Sequence, residues 1–141
     1  VMGAEEITVP ARFLTTVAHL IATLTIVYDV DNIASDANKH STLSEYSSEK
    51  DTLSVLAYAS LACFIIEVFG LFSGVSIFVP SVSSLYVFLH SLGTILVALF
   101  VALSWALSTY TWLFLIFSAF PAFVELCMAF FVLKLKLFEY S

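Results

Sequence analysis

The sequence predicts an all-α polytopic membrane protein: a four-helix transmembrane bundle with both termini cytosolic. Three observations predict it. Of the 141 residues, 61% are hydrophobic and 11% charged, where a soluble domain is nearer half and a quarter. The apolar residues fall in four long blocks, each close to the roughly 20 residues that a bilayer-spanning helix needs. The few basic residues stand at the outer ends of those blocks, Arg12 before the first and Lys134 and Lys136 after the last. Lys and Arg accumulate on the cytosolic side, so these three serve as topology anchors.

The whole chain reads as one four-span domain. The first helix is expected over about residues 11–29. Its apolar stretch is long for the core of a cleaved signal peptide, and no small-residue cleavage pattern follows it. A polar segment over about 30–52 comes next. It holds Asp29, Asp31, Asp36, Glu45, Glu49 and Asp51 around its edges against Lys39 and Lys50, and this acidity suits the external side. The second helix is expected over about 53–79 and ends before Pro80 and its neighbouring serines. The third covers about 85–107 and the fourth about 110–133. Trp105, Tyr110 and Trp112 between them belong at a membrane interface. In hydrocarbon a backbone must satisfy its own hydrogen bonds, so all four spans are helices.

Each helix carries an ionisable residue inside its apolar run: His19, Glu67, His90 and Glu125. Helical spacing puts each on a face of small residues. Ser60, Cys63, Glu67, Gly70 and Gly74 share one stripe, and Ser118, Ala122, Glu125 and Ala129 another. Thr15, His19 and Ala22 align on the first helix, and Tyr86, His90 and Gly93 on the third. At about 1.5 Å per residue the four groups fall near one depth, in the cytosolic half. Charge inside a bilayer is costly, so such groups face the bundle interior and pair. Two readings stay open: structural pins that fix helix register, or a relay for protons or cations.

Gly70 and Gly74 form a G-x-x-x-G helix-packing motif, for use inside the bundle or in docking to another membrane protein. Pro121, one turn before Glu125, is expected to kink the fourth helix. A net charge of −6 excludes an electrostatic nucleic-acid binder. Cys63 and Cys127 lie in apolar runs and read as small hydrophobes. No two potential ligands share a helix at metal-binding spacing, and no catalytic motif occurs, so the residues point to no metal, cofactor or catalytic residue. Leu43, Tyr46 and Lys50 match a loose sterol-contact pattern. The bilayer, a sterol between helices, and homo- or hetero-oligomeric partners are the binding classes left.

Three stretches carry a family resemblance: "VPARFLTTVAHL" over 9–20, "FIIEVFGLFSGVSIF" over 64–78 and "TYTWLFLIFSAFPAFVEL" over 109–126. Their order and motifs resemble the transmembrane protein 107 family. The most specific block starts at Glu67 and runs through Gly70 to Ser73, Gly74, Val75 and Ser76. The resemblance implies a four-span membrane component of the ciliary transition zone, in the Meckel syndrome module. It implies recruitment of other transition-zone proteins, in support of cilium assembly and gating of ciliary membrane composition, without catalysis. The competing expectation from the residues alone is a small proton- or cation-conducting protein in the plasma membrane or endoplasmic reticulum.

Overall fold

Long apolar runs broken by proline, glycine and acidic turns leave the backbone little choice but helix. The computed structural model describes residues 4–37, 42–74 and 79–139, and all regular structure among them is helical. Helix α1 is Ala4–Tyr28, α2 Val30–Ala37, α3 Leu43–Ser73, α4 Pro80–Ala102, α5 Ser108–Phe114 and α6 Phe120–Glu139. A π-helical turn, Leu115–Ala119, joins α5 to α6, so these three pieces make one long span. Among the described residues, four stretches are long and apolar enough to cross a membrane: Glu6–Tyr28, Leu43–Ser73, Pro80–Ala102 and Ser108–Leu135.

The polar segment 30–52, expected as a loop, is mostly helical. Helix α2 buries Ile33 and Ala34 against the bundle end. Lys50 forms an ion pair with Asp31, and the Tyr46 hydroxyl donates to the Asp31 carbonyl at 3.4 Å. Helix α3 begins at Leu43 because Thr42 caps it. The Glu45 amide donates to Thr42 Oγ1 at 3.3 Å, and the Thr42 amide to Glu45 Oε2 at 3.2 Å. This reciprocal capping box satisfies amides that would otherwise lack partners. The early turns of α3 therefore project beyond its apolar part.

The other ends are set by local chemistry too. Helix α3 stops at Ser73 because Gly74 adopts a left-handed conformation, φ 79°, and its amide turns back to the carbonyls of Gly70 and Leu71. Segment 75–78, with Val75 and Ser76 of the family block, lies outside the described residues. Helix α4 starts at Pro80, not near residue 85, since proline suits a first helical position where no amide is needed. Pro121 likewise has no amide to offer the carbonyl one turn earlier. The helix answers with the wider turn before it, where the Phe120 amide reaches back five residues to the Leu115 carbonyl.

In the bundle, α1 packs chiefly on α4 and also on α3, while α3 packs on α5 and α6. Near the α2 end the core is apolar and aromatic, with Ile26, Leu53, Ala57, Val97, Phe100 and Tyr110 buried. The opposite end, where α1 begins and α6 finishes, holds the buried polar side chains. The outward faces are apolar, with Ile65, Phe69, Phe123 and Phe130 exposed. Such an exterior suits lipid.

Thr42→Ala is expected to lower unfolding stability by about 1 kcal/mol through loss of the cap, measured by thermal unfolding in detergent. Faster hydrogen exchange confined to the first turns of α3 should accompany it.

Candidate functional site

Four spans each deliver a polar side chain to one buried cluster. Arg12, His19, Glu67, His90 and Glu125 are each no more than 3% exposed. In a bilayer such groups must find partners within the protein. Many hydroxyls do so on their own helix. Thr16 donates to the Arg12 carbonyl at 2.7 Å, Thr23 to His19 at 3.0 Å and Thr94 to His90 at 2.7 Å.

The ionisable groups pair across helices in two connected sets. In the first, His90 of α4 is the middle member. Its Nε2 lies 2.5 Å from Glu67 Oε2 of α3, and its Nδ1 lies 3.0 Å from His19 Nδ1 of α1. Between the imidazoles one nitrogen donates and the other accepts, so a single tautomer pattern runs through the chain of three. Phe64 stands edge-on to His19 at 4.9 Å between ring centres and shields this set. Glu67 Oε1 and Ser83 Oγ are buried without a hydrogen-bond partner among the described residues.

In the second set, Arg12 of α1 meets Glu125 of α6. Arg12 Nη2 donates to Glu125 Oε2 at 3.1 Å. The guanidinium also lies over the Tyr86 ring, 4.3 Å from its centre, a cation–π contact strengthened by desolvation. The Tyr86 hydroxyl is 3.0 Å from Glu125 Oε2 and 3.1 Å from the Pro121 carbonyl. Tyr86 thereby ties α4 to α6 just after the π turn. Nearer the α2 end, Tyr110 Oη and Ser60 Oγ, 3.2 Å apart, link α5 to α3.

Two glycines make room for these side chains. A methyl group on Gly70 would run into the carboxyl of Glu125, and one on Gly93 would stand 2.8 Å from His19 Cε1. Only a hydrogen fits at either position without displacing the cluster. Helical spacing puts Gly93 on the face of His90, and across the helix interface it receives His19.

Several sequence expectations change. Arg12, expected as a cytosolic anchor, is a core residue whose guanidinium is held by Glu125 and Tyr86. Its side chain is long enough to turn inward from the first turns of α1, and an ion pair in low dielectric holds it there. Gly74 is the left-handed stop of α3 rather than a packing notch, while Gly70 is the notch. Lys134 is exposed on α6 beside the Phe130 ring. The side chain of Lys136 lies outside the described residues. The ionisable groups, expected as one layer of His and Glu, separate into a His–His–Glu set and an Arg–Glu–Tyr set. Tyr86 is legible in the sequence only as a neighbour of His90 on one helical face; nothing in its spacing marks it as a partner of Glu125.

The arrangement can lock helix register, and its first set forms a short hydrogen-bonded path that a proton could follow. Among the described residues no group of three or more His, Cys, Asp and Glu is placed to hold a metal ion.

Arg12→Ala leaves Glu125 buried without its cation. Breaking a buried pair on one side costs about 3–5 kcal/mol, so a large fall in the detergent unfolding temperature is expected. The double change Arg12→Met with Glu125→Met should recover most of it, because neither charge then remains.

The family model described as TMEM107, transmembrane protein, matches residues 8–129. Curated relatives named transmembrane protein 107 align over most of both lengths. The Danio rerio protein is 40% identical over 126 residues, covering 89% of this chain and 93% of the relative. The Mus musculus protein is 35% identical over 140 residues, covering 97% and 100%. The Homo sapiens protein is 32% identical over 136 residues, covering 96% and 97%. No solved structure matches the chain. With a family model spanning most of the sequence and relatives collinear over nearly their whole lengths, this chain belongs to the transmembrane protein 107 family.

Proposed function

We propose that this chain is a non-enzymatic scaffold of the ciliary transition-zone membrane. In this role it supports cilium assembly and the gating of ciliary membrane composition by recruiting other transition-zone proteins. Family membership is the observation that carries the reading. The structure is compatible with it: ionisable groups within the spans are used up in internal pairs, and the outward faces are apolar and free to meet lipid or other spans. The same reading puts both termini in the cytosol. Arg12 meets Glu125, so α1 starts at the end of the bundle where α6 finishes, and exposed Lys134 lies there as well.

A tagged copy in a ciliated cell should form a band at the cilium base. Diffuse membrane staining would refute the reading.

The second reading, a proton conductor, has one observation in its favour: the chain Glu67–His90–His19 with contacts of 2.5 and 3.0 Å. In proteoliposomes bearing a pH gradient, the scaffold reading expects no proton flux above that of empty vesicles. It also expects Glu67→Gln to fold and localise normally, because glutamine keeps both a donor and an acceptor. Flux that Glu67→Gln abolishes would establish the second reading instead.

A further inference from the structure

Between α3 and α6, on the outer face of the bundle, lies a groove of about 550 Å³. Its walls include Ile65, Phe69, Leu126 and Leu133, and Glu125 lies in its floor. It is open for two structural reasons. Gly70 and Ala129 place little or nothing between the helices. Helix α3 also stops at Ser73, whereas α6 continues to Glu139 and loses its neighbour.

The depth of the polar floor decides what the groove can hold. Glu125 precedes Lys134, the first exposed charge beyond it on α6, by nine residues, or about 14 Å along the helix. Half of a hydrocarbon core is about 15 Å, so a headgroup-level Lys134 puts Glu125 close to the bilayer midplane. Phospholipid headgroups and sterol hydroxyls stay at the interface and bring no hydrogen-bond donor to that depth. A transmembrane helix can carry one at any position. On its α3 side the groove runs from Ile65 to Gly74, about 14 Å, which admits between two and three turns of helix.

We infer that this groove is the docking site for a transmembrane helix of a partner protein. That helix presents a small-residue face to Gly70 and Ala129 and a neutral hydrogen-bond donor, such as the amide of Asn or Gln, level with Glu125. The inference rests on the scaffold reading and names the surface through which recruitment occurs. Arg12 and Tyr86 stay with Glu125 when the site is filled, because they approach its carboxyl from inside the bundle.

The test uses the full chain, fluorescently labelled and reconstituted in phosphatidylcholine vesicles, with two synthetic leucine–alanine helices as probes. One probe carries Asn at its centre and the other Leu. Energy transfer in the bilayer should show the Asn helix associating about five- to tenfold more tightly, the range expected of an interhelical hydrogen bond of 1–2 kcal/mol. Ala129→Phe and Leu126→Trp fill the groove from different positions without touching the Arg12 pair. Whichever of them unfolds at the wild-type temperature should abolish the preference. Equal association of the two probes with the wild-type chain overturns the inference, as does a preference that survives in a folded groove variant. Self-association of the chain through the same groove, lost in those variants, assigns the site to a second copy and also overturns it. Wild-type localisation reports on the scaffold reading independently, so the two ideas fail separately.

Discussion

The contact between Arg12 and Glu125 is the constraint from which the rest of this bundle follows. It joins α1 to α6, two helices whose backbones otherwise make little approach. Two charges held in hydrocarbon cannot drift apart without a cost far above that of an ordinary helix contact. Once they are joined, α1 and α6 have a fixed relative depth. Tyr86 then brings α4 to the same carboxyl, and Gly70 of α3 must lack a side chain for that carboxyl to fit. One acid thus sets the height of all four spans.

The His19–His90–Glu67 set adds a second tie with a different logic. It connects α1, α4 and α3 through hydrogen bonds whose direction depends on where the protons sit. Neighbouring apolar side chains would tolerate sliding by a methyl group or so, whereas a directed polar contact does not. The two halves of the core therefore serve different ends. An aromatic and aliphatic half near α2 fills space, and a polar half near the termini specifies register. In lipid, where burial of apolar surface does little to hold helices together, register must come from packing and polar contacts of this kind.

Much of this is legible from spacing alone. His19, Glu67, His90 and Glu125 can be assigned to inward faces because a helix repeats every 3.6 residues and each stands among small neighbours. Periodicity assigns a face but not the residue across the gap, so the pairing of Glu125 with Arg12 and Tyr86 stays hidden. Arg12 misleads because a basic residue flanking an apolar block has the same appearance whether it meets headgroups or turns inward. Gly74 misleads because a glycine four residues after another fits both a packing motif and a helix stop. Helix α2 escapes notice because its polar composition matches that of a loop, and only the burial of Ile33 and Ala34 gives it a reason to fold.

The π turn over Leu115–Ala119 bears on how the fourth span can change length over evolutionary time. Such a turn holds one residue more than the α-helix would over the same path. It separates Trp112 and Tyr110, on the α2 side, from Glu125, which has to point at Arg12. Each residue added to or removed from a regular helix swings everything beyond it by about 100°. A single deletion inside 115–119 would instead convert the wide turn to an ordinary one and leave both faces aimed as before. The same deletion between Arg12 and His19 would turn the two polar sets of α1 away from each other. Among relatives, one-residue length differences in the spans should therefore collect at this turn.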